Sequence, residues 1–235
     1  VKPPYLITAP TQDVVTLEEA KAQLRIDDDA QDDLIQAILD ATVAQIDPSS
    51  GGWLDRALRP QTWEIRRPTF YSATDQGNPR AEWGVYPFNA ATISLPFPPL
   101  MSVVSVKYDD GAGVEHTLVE GTGFRVLGRD TVQGKASIAP LINQYWPVTR
   151  VDFESVRIRY TCGYDKSVSG DLLPRPIKQA IHLAVRQLYS LGERNLFQSL
   201  KTVVGVSETR WVVSPMASQI IDEAVTSLLS TYRVW

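Results

Sequence analysis

Val156-Arg157-Ile158-Arg159-Tyr160-Thr161-Cys162 alternates apolar and polar residues without a miss. Successive side chains on a strand point to opposite faces, so this pattern predicts a strand with one buried and one wet face. Working back toward the N-terminus, more strands follow from the same reading. Residues 61–67 and the Val-rich 101–108 read as strands. Asp109-Asp110-Gly111 is a hairpin-type turn signal, and residues 114–119 should return antiparallel. Residues 124–127 and 136–139 are short strand candidates. Several short strands at this spacing predict a small antiparallel sandwich or barrel.

Beyond Asp171 the period changes to that of a helix. Ile177, Ala180, Ile181, Ala184, Val185 and Leu188 form one apolar stripe. Pro174 or Pro176 suits the first turn and Gly192 the stop. Ser214-Pro215 predicts an N-cap and first helical position, followed by the stripe Ile221, Ala224, Val225, Leu228 and Tyr232. The N-terminal end is helical too. Thr16-Leu17-Glu18-Glu19 is a capping box, because the Thr hydroxyl can accept from the Glu19 amide while the Glu carboxylate reaches back. A helix over 17–26 should follow. A second helix carries Leu34, Ile35, Ile38, Leu39, Thr42 and Ile46 and ends at Pro48 and Gly51-Gly52.

The predicted class is therefore α+β: a helical bundle from N- and C-terminal helices, with an inserted antiparallel β-rich, sandwich- or barrel-like region. The expected divisions are an N-terminal helical part over 1–59, the β-rich insertion over 60–165, and C-terminal helices over 166–235 with an extended segment near 201–213.

Composition narrows the function classes. The 235 residues carry 23 Lys+Arg against 27 Asp+Glu, a net charge of −4, which does not suit a general polyanion binder. With 43% hydrophobic and 21% charged residues, the chain reads as an ordinary globular protein. The single cysteine, Cys162, excludes an intrachain disulfide and reads as a small buried hydrophobe, which suits a reducing compartment. No run reaches the ~18 apolar residues of a membrane span. Val1-Lys2-Pro3-Pro4 has no apolar signal core, so neither a classical signal nor a membrane anchor is expected.

Motifs for catalysis are thin. His116 and His182 are too few and too far apart for a zinc site, and both read as solvated. Gly128-Arg129-Asp130-Thr131-Val132-Gln133-Gly134-Lys135-Ala136 has five residues between its glycines and Ala after the Lys, so it reads as a turn and not a phosphate loop. Gly205-Val206-Ser207-Glu208-Thr209 lacks the second Gly of a nucleophile elbow. Asp27, Asp28, Asp29, Asp32 and Asp33 lack the Gly and terminal Glu of a calcium loop and read first as helix capping. No metal, cofactor or catalytic residue is assigned, and no enzyme activity is expected.

Two segments do not fit a self-contained core. Residues 201–206 have strand character and, as sequential partner, only residues 209–213. They form a local hairpin or an edge that pairs with another subunit. On the second reading Val203, Val204, Val206 and Trp211 are subunit-interface candidates. The chain also closes on Tyr232-Arg233-Val234-Trp235, rich in residue types that anchor interfaces.

The order of motifs resembles a known family. It runs from Val15-Thr16-Leu17-Glu18-Glu19-Ala20-Lys21-Ala22-Gln23-Leu24-Arg25-Ile26 and the Asp-rich residues to Asp33-Leu34-Ile35. Arg56-Ala57-Leu58-Arg59-Pro60-Gln61-Thr62-Trp63, Leu95-Pro96-Phe97-Pro98-Pro99-Leu100 and Ser102-Val103-Val104-Ser105-Val106-Lys107-Tyr108 come next. Tyr160-Thr161-Cys162-Gly163-Tyr164, Pro174-Arg175-Pro176-Ile177-Lys178-Gln179-Ala180-Ile181 and a final Tyr232-Arg233-Val234 complete it. It is similar to the head–tail connector (adaptor) proteins of tailed bacteriophages and gene transfer agents.

That resemblance implies a structural role without catalysis. Such proteins form a ring of about twelve copies in the virion neck. The ring lies between the portal protein and the stopper or tail-completion protein and lines the channel through which double-stranded DNA passes. They are made in the host cytoplasm and touch no membrane. A C-terminal segment commonly docks on the portal, and by position that role falls on Ser230, Thr231, Tyr232, Arg233, Val234 and Trp235. Residues 71–91 look longer than the family's usual loop. A mildly acidic wall suits a channel that must release DNA, so Asp27, Asp28, Asp29, Asp32 and Asp33 are channel or interface candidates. Two other readings compete. One is a glycan- or receptor-binding β module using Trp83, Tyr86 and Phe88. The other is a DNA-packaging accessory protein using Arg56, Arg59, Arg66 and Arg67.

Overall fold

The computed structural model describes residues 3–71, 92–129, 134–166, 172–193, 201–203, 207–209 and 215–234. The elements run β1 (Tyr5–Thr8), α1 (Leu17–Leu24), α2 (Asp32–Ile46), a 3-10 turn (Pro48–Ser50), β2 (Gln61–Arg67), β3 (Ile93–Ser94), β4 (Leu100–Asp109), β5 (Glu115–Leu118), β6 (Arg125–Leu127), β7 (Ser137–Ala139), β8 (Val156–Cys162), α3 (Arg175–Glu193), β9 (Lys201–Val203), β10 (Ser207–Thr209) and α4 (Pro215–Ser230). The fold is α+β, with every strand pair antiparallel. The chain divides into a sheet unit (Val1–Gln12, Asp55–Asp171 and Val234–Trp235) and a helical unit (Asp13–Leu54 and Leu172–Arg233). Residues 1–12, grouped with the helices in the sequence reading, are counted with the sheet unit.

In the sheet unit, five strands lie in the order β1-β2-β8-β4-β5, and a smaller sheet has the order β3-β7-β6. The two share one core, and neither closes into a barrel. β8 is central, so its alternation is enforced from both sides. Val156, Ile158, Tyr160 and Cys162 are buried and Arg157, Arg159 and Thr161 half-buried. Trp63 and Ile65 of β2, Val106 of β4 and Ile138 of β7 join that core. Phe70 stacks on Trp146 at 4.5 Å and 4°. Each fully buried aliphatic or aromatic side chain contributes about 1.5–3 kcal/mol of transfer free energy.

β4 breaks the simple alternation. Its register shifts against β8 between Leu100 and Ser102 and again between Val103 and Ser105, and Val104 is turned to solvent. Bulges re-aim side chains in this way without ending the strand. The hairpin after β4 forms where the Asp-Asp-Gly signal predicts it. Asp110 Oδ1 accepts from the Ala112 and Val114 amides, each at 2.9 Å. The left-handed residue is Gly113 (φ +84°), not Gly111.

Gly163 has a stricter requirement. Its φ is +119°, and a Cβ there would lie 2.1 Å from the Arg59 carbonyl oxygen. The loop after β8 therefore lies directly on the loop before β2. Arg59 and Arg56 are both fully buried in this unit. Arg56 donates to the Tyr164 hydroxyl at 3.0 Å, and Arg59 to the Tyr164 carbonyl at 3.5 Å.

In the helical unit the capping box of α1 is present as read. The Thr16 hydroxyl accepts from the Glu19 amide at 3.2 Å, and Glu19 accepts from the Thr16 amide at 3.1 Å. Helix α1 stops at Arg25, whose φ of 63° is left-handed. Helix α2 buries Ile35, Leu39, Thr42 and Ile46, and leaves Leu34 of the expected stripe exposed. Helix α3 packs on α1, α2 and α4. Its buried row is Ile177, Ile181, Val185 and Tyr189, with Leu188 turned outward. A strict four-residue step carries the row to 189, where Tyr189 donates to Gln31 Oε1 at 2.6 Å.

Candidate assembly surfaces

The residues singled out by sequence fall in different places. Ser230 closes α4 and is exposed, as is Thr231. Tyr232 and Arg233 are half-buried, because a turn folds their amides onto the Leu229 carbonyl at 2.9 and 3.1 Å. The Arg233 guanidinium lies 5.5 Å from the Trp53 ring centre, a cation–π contact. Val234 is buried. Trp235 lies outside the described residues. The 230–234 segment is thus partly fastened to the protein itself.

None of the five aspartates is the N-cap of α2, although Asp32 and Asp33 lie in its first turn. Lys21 Nζ, on α1, lies 2.6 Å from Asp29 Oδ1 and 2.7 Å from Asp32 Oδ1. Hydrogen bonds to those two carboxylates raise the Lys21 pKa to about 12, and Lys21 in turn lowers that of Asp29. Asp28 Oδ1 accepts from the Ala30 amide at 3.1 Å. Asp32 and Asp33 fill the first turn of α2, and the N-cap residue Gln31 makes no side-chain cap. Asp27, Asp28, Asp29 and Asp33 are solvent-exposed. Among the described residues no group of three His, Cys, Asp or Glu side chains is placed to hold a metal ion.

β9 and β10 pair with each other, Val203 opposite Ser207 and Lys201 opposite Thr209, so a local hairpin forms, but with residues 207–209 as partner where 209–213 were expected; 210–213 lie outside the described residues. Val203 ends β9. Val204, Val206 and Trp211 lie outside the described residues, as do Trp83, Tyr86 and Phe88. His116 lies on β5, its Nε2 2.8 Å from Asp110 Oδ2 and its ring stacked on Tyr108 at 5.2 Å. His182 is half-buried, not solvated as expected. That burial lowers its pKa, and Lys178 adds to the effect while Glu19 opposes it. No helix among the described residues is long and apolar enough to cross a membrane.

Three of the four arginines of the basic run, Arg56, Arg59 and Arg66, already have partners within the protein, and Arg67 is half-buried at the end of β2. Arg56 and Arg59 are buried with Tyr164. Arg66 is held by Glu64 at 2.7 Å and Glu154 at 2.8 Å. The wet face of the five-stranded sheet is a ladder of such pairs. The nearly buried Glu64 also takes Arg159 at 2.7 Å. Burial works against its charge, but the two guanidiniums outweigh it and hold its carboxyl below the usual range. Farther along, Arg157 is gripped by Asp109 at 2.7 Å and Glu115 at 2.9 Å, and Lys107 by Glu115 at 2.7 Å. Arg66, Lys107, Arg157 and Arg159 on this face each have a carboxylate beside them.

The sequence reading missed a surface altogether. Residues 141–153 carry no regular structure, yet Ile142, Tyr145, Val148, Val151 and Phe153 all stand in solvent. Irregular spacing hid it, since neither a helical nor a strand period links these positions.

Residues 14–75 match the phage gp6-like head–tail connector family. That stretch spans α1, α2 and β2, and it is the family to which the order of motifs pointed. No curated protein matches the chain. Solved structures similar in fold come from gene transfer agent particles. One is a chain from the neck of an empty particle computed with C6 symmetry, at 20% identity and a TM-score of 0.61. Another is from the virion of a native particle, at 20% and 0.62. A third is from the neck of a native particle computed with C12 symmetry, at 19% and 0.60. Each match covers 100% of this chain and 96% of the other. At that identity they establish a shared fold over the whole length of this chain.

Proposed function

We propose that this protein is a structural component of a phage-like virion neck. It forms a ring between the portal and the stopper or tail, and DNA passes through that ring. The observation that carries this reading is the connector-family match over α1, α2 and β2, joined to a fold shared end to end with neck chains. The paired charges of the sheet's wet face fit it, because a wall with its cations already neutralised offers passing DNA no counterion-releasing contacts. No catalytic step is assigned to any residue. The channel or subunit-interface role of Asp27, Asp28, Asp29, Asp32 and Asp33, the interface role of Val203, Val204, Val206 and Trp211, and the portal-docking role of residues 230–235 belong to the same proposal.

The test is to mix the protein with the portal encoded beside it and view the mixture by electron microscopy. A second ring stacked on the portal is the expected result. Bare portal rings beside free protein, at concentrations well above micromolar, overturn the reading.

A further inference from the structure

We infer that the apolar surface of residues 141–153 is a contact through which one copy of this chain packs against the next. The inference rests on the ring reading above and deepens it by naming the surface.

The loop is fixed in place by backbone and side-chain anchors. The Arg150 amide donates to the Asp109 carbonyl at 2.8 Å, and the Thr149 hydroxyl to the Pro68 carbonyl at 3.3 Å. The Ser155 hydroxyl donates to the Arg150 carbonyl at 2.9 Å. The Tyr71 hydroxyl donates to the carbonyl of Trp146, whose own ring is buried against Phe70. A segment anchored this well would ordinarily turn its large apolar side chains inward. Here Val148 is 83%, Phe153 80% and Val151 fully exposed. Together with Pro68, Tyr71 and Pro147 they line an open groove of about 460 Å³.

Size and character name the occupant. With Ile142 and Tyr145, the exposed side chains present on the order of 500 Å² of apolar surface, in the upper part of the ~300–600 Å² range of the largest patch on a typical monomer. A contact between like subunits of ~800 Å² per partner is about 65% apolar, which is a similar apolar area. The groove's own charges, Arg150 and Asp152, balance, so it has no net charge to attract DNA phosphates or a charged peptide. A neutral, predominantly apolar patch of this size is the composition of a permanent contact between like subunits, which is more apolar than contacts between independently soluble partners. A ring supplies such a contact at every subunit boundary. Because the loop is already ordered, little conformational entropy is lost on packing.

A photo-crosslinking residue in place of Phe153 tests this, in the full chain, alone at about 100 µM and with the portal. The expected product is a ladder of multiples of this chain. Phe153→Asp with Val151→Asp should weaken self-association at least ~30-fold. Those exposed positions should leave the thermal midpoint unchanged, and Phe153→Leu should keep assembly. Crosslinks to the portal, crosslinks within the same chain, or a ring that forms without any adduct at 153 overturn the inference. A ladder without stacking on the portal supports this contact and overturns the portal-bound ring. Neither ladder nor stacking overturns both.

Discussion

Glu64 in the sheet unit and Asp29 in the helical unit are both carboxylates held by cations, but they stand in opposite surroundings. The Glu64 side chain is 5% exposed between Arg66 and Arg159, whereas that of Asp29 is 88% exposed beside Lys21. A nearly buried charge must keep every partner, because losing one leaves a desolvated ion. An exposed pair exchanges its partner for water at little cost. The sheet unit should therefore be sensitive to single changes at its crossing points, and the helical unit tolerant at its charged ends.

The largest effect is expected at Gly163. Gly163→Ala forces a Cβ against the Arg59 carbonyl and a left-handed backbone on alanine, and should cost about 4 kcal/mol or more. Denaturant unfolding checks it, and a loss under 1 kcal/mol would show that this loop yields easily. Ile158→Ala, at the centre of the shared core, should cost about 2–5 kcal/mol. Glu64→Gln should cost about 1.5–3 kcal/mol by weakening three charged hydrogen bonds.

Glu64 also carries a pH signature. Its folded pKa lies below the unfolded value of ~4.3. Its contribution is complete above the unfolded pKa and fades as pH falls through the folded one. Glu64→Gln should accordingly flatten the stability profile below pH ~5, which urea midpoints across pH 2.5–7 would show. An unchanged acid limb would mean that the two arginines do not hold the carboxylate. In the helical unit, Thr16→Ala should cost only about 1 kcal/mol through the lost capping box. Smallest of all, Lys21→Met should leave stability unchanged at 0.5 M salt, where the exposed carboxylates are screened. A large loss there would erase the contrast between the two units.

Local physics was legible in the sequence. The alternation at 156–162 gave β8, the Thr16–Glu19 spacing gave the cap, and Asp109-Asp110-Gly111 gave the hairpin. What escaped depends on distant partners. Tyr5–Thr8 has no period of its own and becomes a strand only because β2, more than fifty residues on, lends it an edge. Leu34 and Leu188 fit apolar stripes but are left 49% and 41% exposed in the folded chain. At the candidate surfaces, the acidic cluster could be named from sequence, but its partner Lys21 could not. The apolar loop at 141–153 was invisible, because its meaning lies in exposure, and exposure is a property of the folded chain.

The most direct test of the account is cryo-electron microscopy of the particle whose genome encodes this chain, at a resolution that traces the five-stranded sheet. Repeated copies of both units arranged as a ring in the neck, immediately below the portal, are the expected result. Density for the chain in the capsid shell or at the tail tip, or its absence from the finished particle, would contradict it.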